Sequence, residues 1–203
     1  MTGTGIVIAA YLIGSLSFAV IVSRAFGLPD PHSYGSGNPG ATNVLRTGRK
    51  IAAALTLAGD AGKGYAAVLL AQFAVLRYGL QPASVPAAAL ACFAGHVWPV
   101  FFRFRGGKGV ATAAGLLLAI DPWLGAGVVA TWLLMAVVFR ISSLAAIVAA
   151  ITAPLWYLWL DGPGMMLAAV IAIALLLLHR HRANMRRLIA GEEGRIDRDP
   201  QGT

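Results

Sequence analysis

Long apolar runs broken by short polar, glycine-bearing blocks form the dominant pattern of the chain. Apolar stretches cover about 4–26, 51–78, 82–102, 110–120, 122–139, 142–160 and 164–178. A helix needs roughly 20 apolar residues to cross the hydrocarbon of a bilayer. The pattern therefore predicts an all-α, polytopic membrane helix bundle of about seven transmembrane helices. The run at 110–120 is too short for a full crossing at roughly 1.5 Å of rise per residue. It reads as a half-crossing or as a span supported by its neighbours. In the second run Asp60 and Lys63 intrude one helical turn apart, where they can pair with each other inside the bundle.

Composition supports this picture. The 203 residues are 58% hydrophobic and 12% charged, whereas a soluble domain carries about 25% charge. A formal net charge of +8 would suggest nucleic acid in a soluble protein. Here the bases gather at the ends of apolar runs: Arg24, Arg46, Arg49 and Lys50 around the first connection, Arg103, Arg105 and Lys108 after the third run, Arg140 after the fifth, and Arg180, Arg182, Arg186 and Arg187 after the seventh. The connections at 79–84, 121–122 and 161–164 carry acid or no charge. By the positive-inside rule the amino terminus lies outside, the carboxyl terminus is cytoplasmic, and the basic partners are membrane lipids rather than nucleic acid. The first run has no basic residue before it and reads as no cleavable signal. Cys92 is the single cysteine and lies in an apolar run, which excludes a disulfide and a cysteine zinc site and leaves a core role. Residues 1–193 are expected to form one integral-membrane domain, followed by a polar, loosely ordered tail at 194–203.

The same topology puts the three polar blocks on one face. In the first, Gly35-Ser-Gly-Asn-Pro-Gly-Ala-Thr-Asn-Val-Leu-Arg46, the glycines and Pro39 make a tight loop. Ser36, Asn38, Thr42 and Asn43 supply neutral hydrogen-bonding groups, and Gly37 permits close approach. A turn followed by a capped helix would use similar residues, but Arg46 adds a planar cation suited to phosphate. The second block has Gly95-His96 and Arg103-Phe-Arg-Gly-Gly-Lys-Gly109. Gly106, Gly107 and Gly109 flank Lys108 at the start of an apolar run, and a helix amino terminus with glycines admits an anion. Lys108 reads as a phosphate contact, with membrane anchoring as the plainer alternative. His96 is a site candidate or a hydrogen-bonded member of the bundle. In the third block His181, Asn184, Arg187 and Leu188 share a helix face, so His181 and Asn184 can reach one ligand. Arg180, Arg182 and Arg186 are explained by an anionic membrane surface. Glu193 orients a basic group or caps the helix.

Absences narrow the chemistry. No histidine is followed by an aspartate five residues later, and there is no Gly-x-Ser-x-Gly elbow. No cluster has metal-ligand spacing, and no general base stands out. The residues alone leave three readings: chemistry on a phosphorylated substrate, transport of phosphorylated metabolites, or glycine turns that are purely structural.

The three blocks together resemble the motifs of the PlsY family, bacterial integral-membrane acyl-phosphate:glycerol-3-phosphate acyltransferases. The resemblance covers essentially the whole chain and rests on Gly-Ser-Gly-Asn-Pro-Gly-Ala-Thr-Asn-Val-Leu-Arg, on Gly-His with Gly-Gly-Lys-Gly-Val-Ala-Thr, and on His-x2-Asn-x2-Arg-Leu-x4-Glu. Small departures are Gly191-Glu192-Glu193 beside the family's Gly-x-Glu and Met185 where isoleucine is common. The resemblance implies acyl transfer from acyl phosphate to the sn-1 hydroxyl of glycerol-3-phosphate, giving lysophosphatidic acid and inorganic phosphate. It implies neither acyl-CoA nor acyl carrier protein as direct donor, no cofactor and no metal. It also implies a site facing the cytoplasm from the bacterial inner membrane. Ser36, Lys108 and Asn184 are then the catalytic candidates. Ser36, Lys108 and the amides of 106–109 would meet phosphate and developing oxyanion, and Arg46, His181 and Asn184 would hold the second substrate. Ser143, at the start of the sixth run, is a further candidate.

Overall fold

The computed structural model describes residues 3–196; the expected tail at 194–203 lies largely outside them. Ten α-helices appear among the described residues: α1 (Thr4–Gly14), α2 (Phe18–Ala25), α3 (Ala41–Leu45), α4 (Lys50–Tyr78), α5 (Ser84–Val97), α6 (Val110–Ile120), α7 (Pro122–Phe139), α8 (Ser142–Leu160), α9 (Met165–Arg180) and α10 (Arg182–Ile189). A 3-10 turn, Val100–Phe102, extends α5. No strand occurs among the described residues.

Small side chains fill the interior and large ones face outward. Ala52, Ala67, Ala71, Ala88 and Ala89 are fully buried, while Leu76, Val137 and Trp159 are exposed. That inversion suits a bundle in lipid, where helices gain contact by close backbone approach rather than by hiding leucines. The approach is closest where glycine faces backbone. A Cβ on Gly95 of α5 would strike the Tyr11 carbonyl of α1, and one on Gly115 of α6 would strike the Ala61 carbonyl of α4.

Among the described residues three spans are long and apolar enough to cross a bilayer: Ser84–Phe102, Pro122–Phe139 and Ser142–Leu160. Two bent pairs raise the number to five: α1 with α2, bent by 42°, and α9 with α10, bent by 58°. Helix α4 is the longest but buries Asp60 and Lys63. Helix α6 has 11 residues, roughly half a bilayer at ~1.5 Å each, and packs along α4.

The first bend has a local cause. Ser15 Oγ donates back to the Tyr11 carbonyl at 2.9 Å, a side-chain bond that competes with the helix ladder. The Leu16 carbonyl beyond it accepts from Lys63 Nζ at 2.6 Å. Between α6 and α7, Asp121 caps the next helix by accepting from the Leu124 amide at 2.7 Å, with Pro122 in the first turn. At one end of the bundle the amino termini of α6 and α8 meet the carboxyl termini of α5 and α9.

Candidate active site

All three polar blocks meet at that end. The first is a loop built around Asn43, which is 2% exposed. Its amide donates to the carbonyls of Pro31 at 2.9 Å and Tyr34 at 3.2 Å. Its Oδ1 accepts from the Ser36 amide at 3.0 Å and the Ser36 hydroxyl at 3.2 Å. Both ends of Asn43 are thus engaged with the loop itself. Gly35 and Gly37 have φ of 57° and 64°, left-handed values that favour glycine. Arg46 lies against Gly35: a Cβ there would stand 3.3 Å from its Cδ. Thr42 Oγ1 lies 3.5 Å from Ser142 Oγ, at the start of α8. The Asn38 backbone N–H donates to Ser36 Oγ at 3.4 Å.

The second block leaves α5 through the 3-10 turn and two consecutive left-handed residues, Arg103 (φ 52°) and Phe104 (φ 59°). Gly106, Gly107 and Gly109 are buried. Gly109, at φ 86°, caps α6, which aims Lys108 at the third block. Lys108 Nζ donates to Asn184 Oδ1 at 2.6 Å. Burial lowers the Lys108 pKa to about 8; Glu193 opposes the fall, and Arg187, Arg180 and Arg46 add to it. A cation held this way has lost water and gains strongly from an incoming anion.

In the third block His181 marks the break between α9 and α10, and its Nδ1 donates to the Leu177 carbonyl at 2.8 Å. Asn184, on α10, donates to Glu193 Oε1 at 2.5 Å. Ser143 Oγ donates to the same oxygen at 2.7 Å. Arg187 Nε donates to Glu193 Oε2 at 2.6 Å. Burial works to raise the Glu193 pKa, but the hydrogen bonds from Ser143, Asn184 and Arg187 outweigh it and hold the carboxyl below its ordinary value. A continuous polar chain therefore runs Lys108–Asn184–Glu193–Ser143, with Arg187 at its edge.

Three contacts were not foreseen from the sequence. His32 Nδ1 lies 2.7 Å from Asp30 Oδ1 and its Nε2 2.9 Å from the Arg105 carbonyl, which ties the first block to the second. Arg180, expected at the lipid surface, donates through Nη2 to the Gly106 carbonyl at 3.0 Å. It thereby braces the glycine loop. His96 sits beneath that loop, 7% exposed, rather than in the polar chain. Ser36 and Arg46 line the first block without bonding to Lys108, whose charge nonetheless responds to Arg46. Asp60 and Lys63 do pair, at 2.8 Å, and Cys92 is fully buried. Among the described residues no three His, Cys, Asp or Glu side chains converge on a metal position.

The sequence matches the model of the family described as glycerol-3-phosphate acyltransferase over residues 4–191. It is 60% identical over 189 residues to the glycerol-3-phosphate acyltransferase of Cupriavidus metallidurans, covering 93% of this chain and 94% of the relative. Against that of Thiobacillus denitrificans it is 61% identical over 191 residues, covering 94% and 96%. The fold superposes on the crystal structure of PlsY, an integral membrane glycerol 3-phosphate acyltransferase, in its glycerol 3-phosphate form with a TM-score of 0.88 at 38% identity, covering 95% of this chain and 94% of that one. The lysophosphatidic acid form of PlsY gives 0.86 at the same identity and coverage.

Proposed function

The chain belongs to the glycerol-3-phosphate acyltransferase family, and from that premise we propose that it moves a fatty acyl group from an acyl phosphate to the sn-1 hydroxyl of glycerol-3-phosphate. The hydroxyl oxygen forms an ester bond to the acyl carbon. The acyl–phosphate C–O bond breaks, its electron pair leaves with phosphate, and the hydroxyl proton goes to a phosphate oxygen. Lysophosphatidic acid and inorganic phosphate result. Neither acyl-CoA nor acyl carrier protein is the direct donor.

The observation that carries this reading is the half-buried Lys108 ammonium, set between buried glycines and hydrogen-bonded to Asn184. Such a cation, together with loop amides, offers fixed donors where negative charge gathers on the donor phosphate and the attacked carbonyl. Ser36 and the amides of Gly106, Gly107 and Gly109 act with it. Arg46, His181 and Asn184 orient glycerol-3-phosphate, with Gly37, Asn38, Thr42, Asn43, Ser143, Arg187 and Glu193 shaping or holding the site. Phosphate is a good leaving group, so a strong protein base is not needed. The donor's tail enters from lipid past exposed apolar helices.

The same reading treats residues 1–193 as one catalytic domain in the bacterial plasma membrane, its site facing the cytoplasm. Basic residues at the site end of the bundle favour that orientation. The purified protein in detergent tests it. Phosphate release that requires palmitoyl phosphate and glycerol-3-phosphate together, with lysophosphatidic acid formed, is expected. Absence of release from folded protein would sink the reading. Turnover without a second compartment would also set it apart from transport.

A further inference from the structure

Asp60, Lys63 and His96 form a buried cluster that the acyl-transfer scheme does not use. Their side chains are 3%, 2% and 7% exposed. Lys63 Nζ donates to the Leu16 carbonyl at 2.6 Å, meets His96 Nδ1 at 2.9 Å and is ion-paired with Asp60 Oδ1 at 2.8 Å. An ammonium has only donors to offer, so Nδ1 must present its lone pair. The ring proton therefore resides on Nε2. Asp60 is 3.6 Å from Nδ1, too far to take a proton from it by a hydrogen bond.

Nε2 points at the glycine loop. A Cβ on Gly107 would stand 2.5 Å from His96 Nε2 and 2.8 Å from the Pro39 carbonyl. Only glycine lets the first block, the second block and the ring meet there. Nε2 makes no hydrogen bond among the described residues, and although the residue is 7% exposed this nitrogen is not one of the fully enclosed, unpartnered polar atoms, so it opens onto the space beside the loop. An N–H left unpartnered at the open side of a largely buried ring is placed to donate to a group bound at the loop.

We infer that His96, locked as its Nε2–H tautomer by Lys63 and Asp60, donates a neutral hydrogen bond to a phosphate oxygen held at the 106–109 loop. Asp60 and Lys63 are positioning residues. Lys63 also draws on the carbonyl freed at the α1–α2 break, so the bend and the loop share one anchor. The inference rests on the reading that the loop holds phosphate. That phosphate belongs to the acyl donor, to glycerol-3-phosphate or to the inorganic product.

Two substitutions separate this role from simple bracing of Lys63. In His96→Asn the amide oxygen can still accept from Lys63, but no donor reaches the loop. In His96→Gln an amide N–H reaches the Nε2 position. His96→Asn is expected to lower kcat/KM roughly 10- to 100-fold, the scale of one hydrogen bond to a charged group. The inhibition constant of inorganic phosphate should rise by a similar factor, and His96→Gln should recover the larger part of the loss. Whichever substrate's KM rises identifies the phosphate. Recovery in His96→Asn but not in His96→Gln would overturn the inference. The unaltered protein gives a second test that needs no variant. Its 15N-labelled histidine spectrum should show a protonated Nε2 that shifts on adding inorganic phosphate; an unprotonated or unmoved Nε2 would overturn it. If the protein fails to transfer acyl groups but that shift persists, the reaction falls and the donor stands.

Discussion

Lys108 Nζ donates to Asn184 Oδ1 across 2.6 Å, joining the loop that opens α6 to the helix that follows the α9 break. The two positions are 76 residues apart in sequence. The ammonium is thereby aimed before any ligand arrives, which spares part of the ordering cost when an anion binds.

Removing the cation should cost rate rather than fold. Lys108→Ala is expected to lower kcat/KM by roughly 100- to 1,000-fold, the range for loss of one preorganised donor to developing charge. Elution from a sizing column and thermal unfolding should change little. Full turnover in a folded Lys108→Ala protein would remove Lys108 from the chemistry.

The pH dependence follows from the same residue. Its pKa of about 8 lies below the ordinary lysine value. The charged form is present below about 8 and is lost above it, where an ordinary lysine would still be charged. Since kcat/KM reports the free enzyme, it should fall above pH 8, approaching about tenfold per pH unit. Lys108→Arg, whose guanidinium stays protonated, should lose that limb even if its rate is lower. A limb that survives in Lys108→Arg would assign it to another group.

Glu193 gathers three donors, Ser143, Asn184 and Arg187. Glu193→Ala leaves them without their acceptor and should destabilise the protein by about 1–3 kcal/mol. Glu193→Gln should cost less, because one amide oxygen still accepts. The Glu193 carboxyl is held below the ordinary value of 4.5. Its extra stabilisation is therefore present above about 4.5 and lost as pH falls through the lower folded value. The gap in melting temperature between the wild type and Glu193→Gln should narrow on acidification below that range. A gap that is constant with pH would mean the carboxylate charge contributes nothing.

Much of this was legible because lipid makes helix boundaries a question of hydropathy. The runs at 110–120, 122–139 and 142–160 coincide with α6, α7 and α8. The run at 4–26 does not, since it breaks at Ser15–Ser17. Beside the local Ser15 bond, that break is held by Lys63 at the Leu16 carbonyl, a tertiary contact with no local pattern. The three blocks were visible because glycines and bases stand out in an apolar chain. His32 and Arg180 were not, for a similar reason: their partners are the carbonyls of Arg105 and Gly106, 73 and 74 residues away. A backbone carbonyl leaves no mark in sequence. The direction of the Asn43 amide was equally hidden, as an asparagine beside a glycine loop suits a ligand contact as well as a brace.

Asn43 provides a test of that distinction. Its amide group and oxygen together serve Pro31, Tyr34 and Ser36. Asn43→Ala should lower stability by about 1–3 kcal/mol through unpaired buried groups, and activity should fall with it as the Ser36 loop loosens. Asn43→Asp should be worse. It keeps the acceptor for Ser36 but sets a carboxylate oxygen against the Pro31 and Tyr34 carbonyls, where a buried charge has no donor to meet it. A direct phosphate contact would behave differently, raising KM in Asn43→Ala with the melting temperature unchanged. Thermal unfolding and kinetics on the two variants therefore decide whether Asn43 holds the loop or holds the substrate, and the geometry favours the loop.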